Sequence, residues 1–328
     1  MRICVLGAGA VGGFIGARLA LAGVETSAVA RGATLASLRR HGWRLESAET
    51  PDGAVASAPV RATDDAAELG VQDVVVLAVK AHAVPSALDS LSHLVGPETA
   101  VVTALNGVPW WFFEGFGGPC EGRHLETVDP GGRIAAAVPV ANVVGCVVHV
   151  SCSTPEPGLV HHHKGTGLIL GEPGNNRSAR VEELTSLLRG ADLDATVSTG
   201  IQKDVWFKLW GNMTMNPVSA LTGATGDLIL DDELVMGFCH AAMREAAGIG
   251  ARIGCPIDQS PEDRSQVTRK LGVARTSMLQ DAEAGRRLEL DALVGSVREI
   301  GGLLGVPTPS IDALLGLTRL SARVRGLL

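Results

Sequence analysis

Along its first half the chain alternates short apolar runs with segments of helical period. Ile3, Val5 and Leu6 open it as a short buried strand, and the stretch after them is helical, with Phe14, Ile15, Leu19 and Leu21 inside and Gly23 near its end. "ETSAVAR" is a second strand ending at Arg31. "DVVVLAVK", residues 73–80, is apolar without a break, as a parallel strand covered on both faces must be, and it ends at Lys80. "AVVTALNG" repeats the arrangement and ends at Asn106-Gly107. "RIAAAVPVANVVGCVVHV" and "GTGLILGE" read as further strands. After about residue 200 the strand signal stops and helical period runs to the end. The pattern predicts an α/β domain over 1–199, joined near Thr199-Gly200 to an all-α domain over 200–328.

The turn after the first strand carries Gly7, Ala8, Gly9, Ala10, Val11 and Gly12, a G-x-G-x-x-G that follows a strand and opens a helix. In that setting each glycine has a physical reason. The first permits the tight turn, the second lets the backbone approach a pyrophosphate, and the third lets helix and strand pack closely. The helix start adds free N–H groups and the positive end of a dipole. The first domain is therefore predicted to be a Rossmann-type, doubly wound dinucleotide-binding domain. An NAD enzyme usually ends its second strand on an acid that holds the ribose 2′-OH. Here that place belongs to Arg31, a cation suited to a 2′-phosphate, so the expected cofactor is NADP(H). Ligands on open α/β sheets lie beyond the carboxyl ends of strands, which points Lys80 and Asn106 toward the cofactor.

Composition narrows the class. At 328 residues, 46% hydrophobic and 19% charged, the chain is an ordinary globular mixture with room for two domains. A net charge of −7 argues against nucleic acid or an anionic membrane as partner. The six cysteines show no metal-like spacing and read as small buried hydrophobes in a reducing compartment. With no signal peptide and no spanning apolar run, a cytoplasmic location is expected. Aromatics are scarce, five Trp and six Phe with no Tyr, yet four of them crowd into 110–113. That cluster suits a lid or substrate wall, or equally a hairpin packing its own rings or a subunit contact. His161, His162 and His163 alternate faces if they lie on a strand, so they do not converge on a metal, and no metal is expected.

In "KLWGNMTMN", residues 208–216, Lys208, Asn212 and Asn216 are spaced four apart. On a helix they share one face, drifting about 40° per step. Their neighbours are almost all apolar, and an unpaired polar group among apolar neighbours costs several kcal/mol. Either the three satisfy core partners or they await a ligand. Further on, Ser277 and Glu289 are twelve apart, about 120° off a common face, and could meet one ligand only if the chain bends near Gly285.

Taken together, "GAGAVGG", Arg31, "VK" at 79–80, "NG" at 106–107, "WFKLWGNMTMNP" and "SMLQD…E" resemble the ketopantoate reductase (2-dehydropantoate 2-reductase) family along the whole chain. The resemblance implies NADPH-dependent reduction of 2-dehydropantoate to (R)-pantoate, a step of pantothenate and coenzyme A biosynthesis. It makes Lys208 the proton donor, and Asn106, Asn212, Asn216 and Ser277 substrate-binding. Arg31, Lys80, Asn106 and Glu289 become cofactor-binding or site-organising, beside the glycine turn. The substrate would sit in the cleft between domains. Two departures bear on which 2-oxo acid is used. Gly226 stands where some members have another amide, and the stretch 110–133 is longer than in the shorter members.

The nearest rival is an NADP-dependent reductase of another branched or aromatic 2-oxo acid. A β-hydroxyacid dehydrogenase would also show Lys-x-x-x-Asn, but leaves Asn216, Ser277 and Glu289 unexplained together. A non-catalytic NADP(H) sensor should have lost Lys208. The expected partner is a small 2-oxo acid, with no nucleic acid and no membrane; a homodimer is the default assembly.

Overall fold

The computed structural model describes residues 1–47, 53–270 and 272–328. The chain forms two compact units, one of residues 1–105, 114–116 and 131–201, the other of 106–113, 117–130 and 202–328.

The first unit holds one ten-stranded sheet. Its strands are β1 (Ile3–Leu6), β2 (Thr26–Val29), β3 (Trp43–Ser47), β4 (Val55–Ala58), β5 (Arg61–Thr63), β6 (Val74–Leu77), β7 (Ala100–Thr103), β8 (Val143–Glu156), β9 (Leu159–Gly171) and β10 (Asp194–Val197). The spatial order is β5-β2-β1-β6-β7-β8-β9-β3-β4, with β10 beside β9. From β5 to β8 every pairing is parallel. From β1 the chain passes to β2, crosses to lay β3 and β4 at the far edge beside β9, returns to place β5 outside β2, and from β6 onward builds the other side of β1. The reversal between β1 and β6 is the switch point at which such sheets take ligands. Strands β1, β6 and β7 are buried at every position, which is why they read as unbroken apolar runs. Helices α1 (Ala10–Leu21), α2 (Gly32–His41), α3 (Leu88–Leu94), α4 (Arg133–Ala137) and α5 (Ala179–Gly190) complete the unit. Within α1, Phe14, Ile15 and Leu19 are buried as expected, but Leu21 is 42% exposed at its last residue.

The hydrophobic pattern gives no sign of β3, β4 or β5. They are three to five residues long. Distant partners hold β3 and β5, with Arg44 to Ser47 on Leu159 to His162 and Arg61 to Thr63 on Ser27 to Val29, while among the described residues β4 pairs only with the neighbouring β3.

The second unit is helical, with α6 (Ile201–Thr222), α7 (Gly226–Asp231), α8 (Glu233–Arg252), α9 (Pro261–Arg269) and α10 (Ser277–Glu283). A π-helical turn over Asp291–Gly295 then runs into α11 (Ser296–Leu303), and α12 (Pro309–Val324) follows. Buried Trp206, Leu209, Trp210 and Met213 form the inner face of α6, and the Trp210 indole donates to the Met243 carbonyl at 2.7 Å. The aromatic stretch belongs to this same core. Trp111, Phe112 and Phe113 are essentially inaccessible, and the Phe112 ring lies 5.1 Å from Phe113 and 6.0 Å from Trp206.

All six cysteines are free, five of them buried. Burial pushes the thiol of Cys4 up to about 11 and those of Cys152, Cys239 and Cys255 up to about 12, so these four stay protonated and inert. Among the described residues no helix is long and apolar enough to cross a membrane.

Candidate active site

In the first unit the glycine turn has the shape its motif demands. Gly7 adopts φ +103°, and a Cβ there would lie 2.7 Å from the backbone nitrogen of Val79 at the end of β6. A Cβ on Gly12 would lie 2.2 Å from the Gly7 carbonyl oxygen. Gly9 is different: a Cβ there would meet nothing within 4 Å. It stands on the open side, as the N-cap of α1, and no side chain bonds the first-turn amides. Ala8, Ala10 and Val11 complete the turn, so the helix end is uncovered and ready for an anion.

Arg31 lies two residues beyond β2 as the N-cap of α2; its side chain is exposed and makes no ion pair among the described residues. Lys80 is half-buried three residues beyond β6, where it caps a 3-10 turn over Ala81–Ala87. A bare helix start, a glycine-rich turn with its middle glycine open, and an exposed cation past the second strand fit a phosphorylated dinucleotide.

In the second unit, α6 carries the predicted polar row. Lys208 and Asn212 are half-buried and Asn216 is 6% exposed. The helix is less enclosed than its composition suggests. Phe207 is 38% exposed, with the Arg264 guanidinium 4.7 Å from its ring centre. The Lys208 ammonium donates to Asn106 Oδ1 at 2.7 Å, so the strand-end amide and the lysine are direct partners. Neither the Asn212 nor the Asn216 side-chain amide is hydrogen-bonded among the described residues. Asn216 is largely buried, yet its amide is not one of the fully enclosed orphan groups, so a ligand or water can reach it.

Ser277 is the exposed first residue of α10. The helix is capped by Thr276, whose hydroxyl accepts from the Leu279 N–H at 3.1 Å and meets the Ser219 hydroxyl on α6 at 2.5 Å. Ser219 is three residues beyond Asn216, so this contact brings the start of α10 to the C-terminal half of α6. Thr276, which the motif reading passed over, ties the start of α10 to α6; its signal was a threonine directly before a helix start. Asp281 is structural, since its buried carboxylate pairs with Arg286 Nε at 2.9 Å. The chain does break at Gly285, which has φ +66°. Glu289 follows, 7% exposed, just before the helical turn that begins at Leu290 rather than opening that helix itself. Gly226 opens α7 with its N–H on the Ala274 carbonyl at 2.8 Å, and a Cβ there would sit 3.9 Å from the Met215 methyl.

The histidines lie on β9 and alternate. His162 is fully buried against Phe14, with ring centres 4.6 Å apart. His161 and His163 share the other face; His161 pairs with Glu46 at 3.0 Å and His163 with Ser153 at 2.9 Å. Glu46 is distant in sequence, so an acid does neighbour the triplet in space.

Comparison with known proteins gives these features a context. The family model described as "Ketopantoate reductase PanE/ApbA" matches residues 3–110, and its C-terminal counterpart matches residues 200–322. A 2-dehydropantoate 2-reductase of Mesorhizobium japonicum is 46% identical over 99% of both chains. The chain belongs to the ketopantoate reductase family. It is an oxidoreductase, and NADP(H) is the cofactor of its family. A Ralstonia solanacearum crystal structure, provisionally named a ketopantoate reductase, is 59% identical and covers 100% of this chain and 99% of its own, with a TM-score of 0.95. A D-mandelate dehydrogenase holding NADH and anilino(oxo)acetate shares the fold, with a TM-score of 0.84 at 20% identity and full coverage of both chains.

Proposed function

We propose that the chain reduces 2-dehydropantoate to (R)-pantoate with NADPH, on the route to pantothenate and coenzyme A. One observation carries the reading: an ammonium held by the Asn106 amide stands on the same helix face as two amides with no side-chain partner among the described residues. Family membership makes a 2-oxo acid the natural occupant.

NADPH, when bound, supplies the hydride to the ketone carbon. The remaining work falls to the chain. As negative charge develops on the carbonyl oxygen, Lys208 stabilises it and gives it a proton, which solvent later replaces. Asn106 orients the ammonium without neutralising it. Asn212 and Asn216 hydrogen-bond the ketone and hydroxyl oxygens, and Ser277 takes the carboxylate, so the substrate is oriented without added charge. In the first unit the glycine turn and the start of α1 take the pyrophosphate. Arg31 takes the 2′-phosphate, with Lys80 as a further cation, and Glu289 organises the site from the second unit.

A second reading is reduction of a different branched or aromatic 2-oxo acid, and Gly226 favours it by offering no side chain where some members offer an amide. Following NADPH absorbance with a panel of 2-oxo acids separates the two. Turnover of 2-dehydropantoate above the others, with growth of a pantothenate-requiring strain, supports the first. Poor turnover of it beside rapid turnover of another 2-oxo acid supports the second.

A further inference from the structure

We propose that Gly107, seated on the π turn of residues 291–295, is the positioning residue that holds the Asn106 amide on the Lys208 ammonium. The inference rests on the reading of Lys208 as proton donor and extends it to groups outside the substrate's reach.

The chain of contacts begins in the π turn. Ser296 donates its N–H to the carbonyl of Asp291, five residues back, instead of to Ala292, four back. The Ala292 carbonyl is thereby released from its α-helical donor. It accepts the Val108 N–H at 2.9 Å and the Ser296 hydroxyl at 2.9 Å. A π turn frees a backbone acceptor in this way, which is one reason such turns recur at functional sites.

Val108 can reach that carbonyl only because its predecessor has no side chain. Gly107 adopts φ +83°, and a Cβ there would lie 2.3 Å from the Ala292 oxygen and 2.5 Å from its carbonyl carbon. Both are backbone atoms of a helical turn and cannot swing aside. The next residue back is Asn106, whose Oδ1 accepts a hydrogen bond from the Lys208 ammonium at 2.7 Å. A loop seated this tightly leaves Asn106 little room to shift, which suits a bond of 2.7 Å.

The turn is itself braced from another side. A Cβ on Gly295 would lie 2.8 Å from the Thr127 methyl. Glu299 on α11 accepts the N–H groups of Glu126 and Thr127, each at 2.9 Å.

The test is a kinetic double-mutant cycle on the full chain with NADPH and the best 2-oxo acid. Gly107→Ala should lower kcat about 10- to 100-fold, the order expected of a displacement near 1 Å, and leave KM within about twofold. Should that variant not fold, Gly295→Ala displaces the turn more gently, since the one close contact of its methyl is the Thr127 side chain; a kcat loss of about 3- to 10-fold is expected, again without a KM change. In an Asn106→Ala background neither substitution should lower kcat further, because the group it positions is gone. Folded variants with normal kcat, or losses that multiply in the Asn106→Ala background, would overturn the proposal. If Lys208→Ala itself turned over normally, the proton-donor reading would fall first and this inference with it.

Discussion

The Lys208 ammonium and the Asn106 amide oxygen meet at 2.7 Å, although 102 residues of chain separate them. An amide oxygen directs an ammonium without cancelling its charge, so the charge stays available to a ligand. Lys208→Ala should lower kcat by about 10²- to 10⁴-fold, the usual worth of a placed proton donor. NADPH affinity, measured by fluorescence titration, should barely change. A folded Lys208→Met variant with near-normal kcat would end the mechanism.

The unpaired amides predict a trade between binding and stability. Asn212→Ala and Asn216→Ala should raise KM by about 1–3 kcal/mol each, or roughly 5- to 150-fold, with a smaller effect on kcat. Asn216 is the more buried of the two, and its side-chain amide has no hydrogen-bond partner among the described residues. Asn216→Leu should therefore melt at or above the wild-type temperature while binding substrate worse. A marked drop in Tm would mean the amide has a structural partner after all.

Arg31 should decide between the two nicotinamide cofactors. It stands exposed past β2 where an acid would favour NADH. Loss of one charge-assisted bond costs about 1.5–3 kcal/mol, so Arg31→Ala should weaken NADPH roughly 10- to 100-fold. NADH should be nearly unaffected, and equal losses for both would count against the assignment.

Acid should loosen the first unit through Glu172. Burial alone would raise its carboxyl pKa. The Arg180 guanidinium, bonding it through Nε at 2.7 Å and Nη2 at 2.6 Å, and the Ser178 hydroxyl outweigh that and bring it below the ordinary value of 4.5. A depressed carboxyl stabilises the fold above its unfolded pKa and loses that contribution as pH falls through the folded one. Glu172→Gln should thus cost about 1–3 kcal/mol at neutral pH, discounted because Arg180 is partly exposed. The gap to wild type should narrow below about pH 4.5, as urea melts at several pH values would read.

Legibility followed the range of the interactions. The glycine turn could be read because all its determinants, Ile3 to Gly12 and the helix after it, are adjacent in sequence. The row of Lys208, Asn212 and Asn216 could be read because helical period alone places it on one face. Strands β3 and β5 could not, since long-range pairing rather than composition makes them strands, and β4 depends on β3 being there to pair with. The same holds for Asn106: its sequence neighbours announce a turn, but its partner lies on α6 and the carbonyl that seats its loop lies in a π turn near residue 292. The aromatic run 110–113 was legible as apolar and not as core, because the helices it packs among come about a hundred residues later.

Lacking tyrosine, the chain owes its near-ultraviolet emission to five indoles, and they are unevenly placed. Trp110, Trp111, Trp206 and Trp210 belong to the helical unit, while Trp43, its indole on the Thr26 hydroxyl at 2.9 Å, stands alone in the nucleotide unit. Intrinsic fluorescence is therefore a gauge of the helical unit that the other half scarcely disturbs. A Trp43→Phe variant would leave the first unit without an indole, so any change in tryptophan emission on adding NADPH, corrected for the cofactor's own absorbance, would come from indoles in the half that carries Lys208.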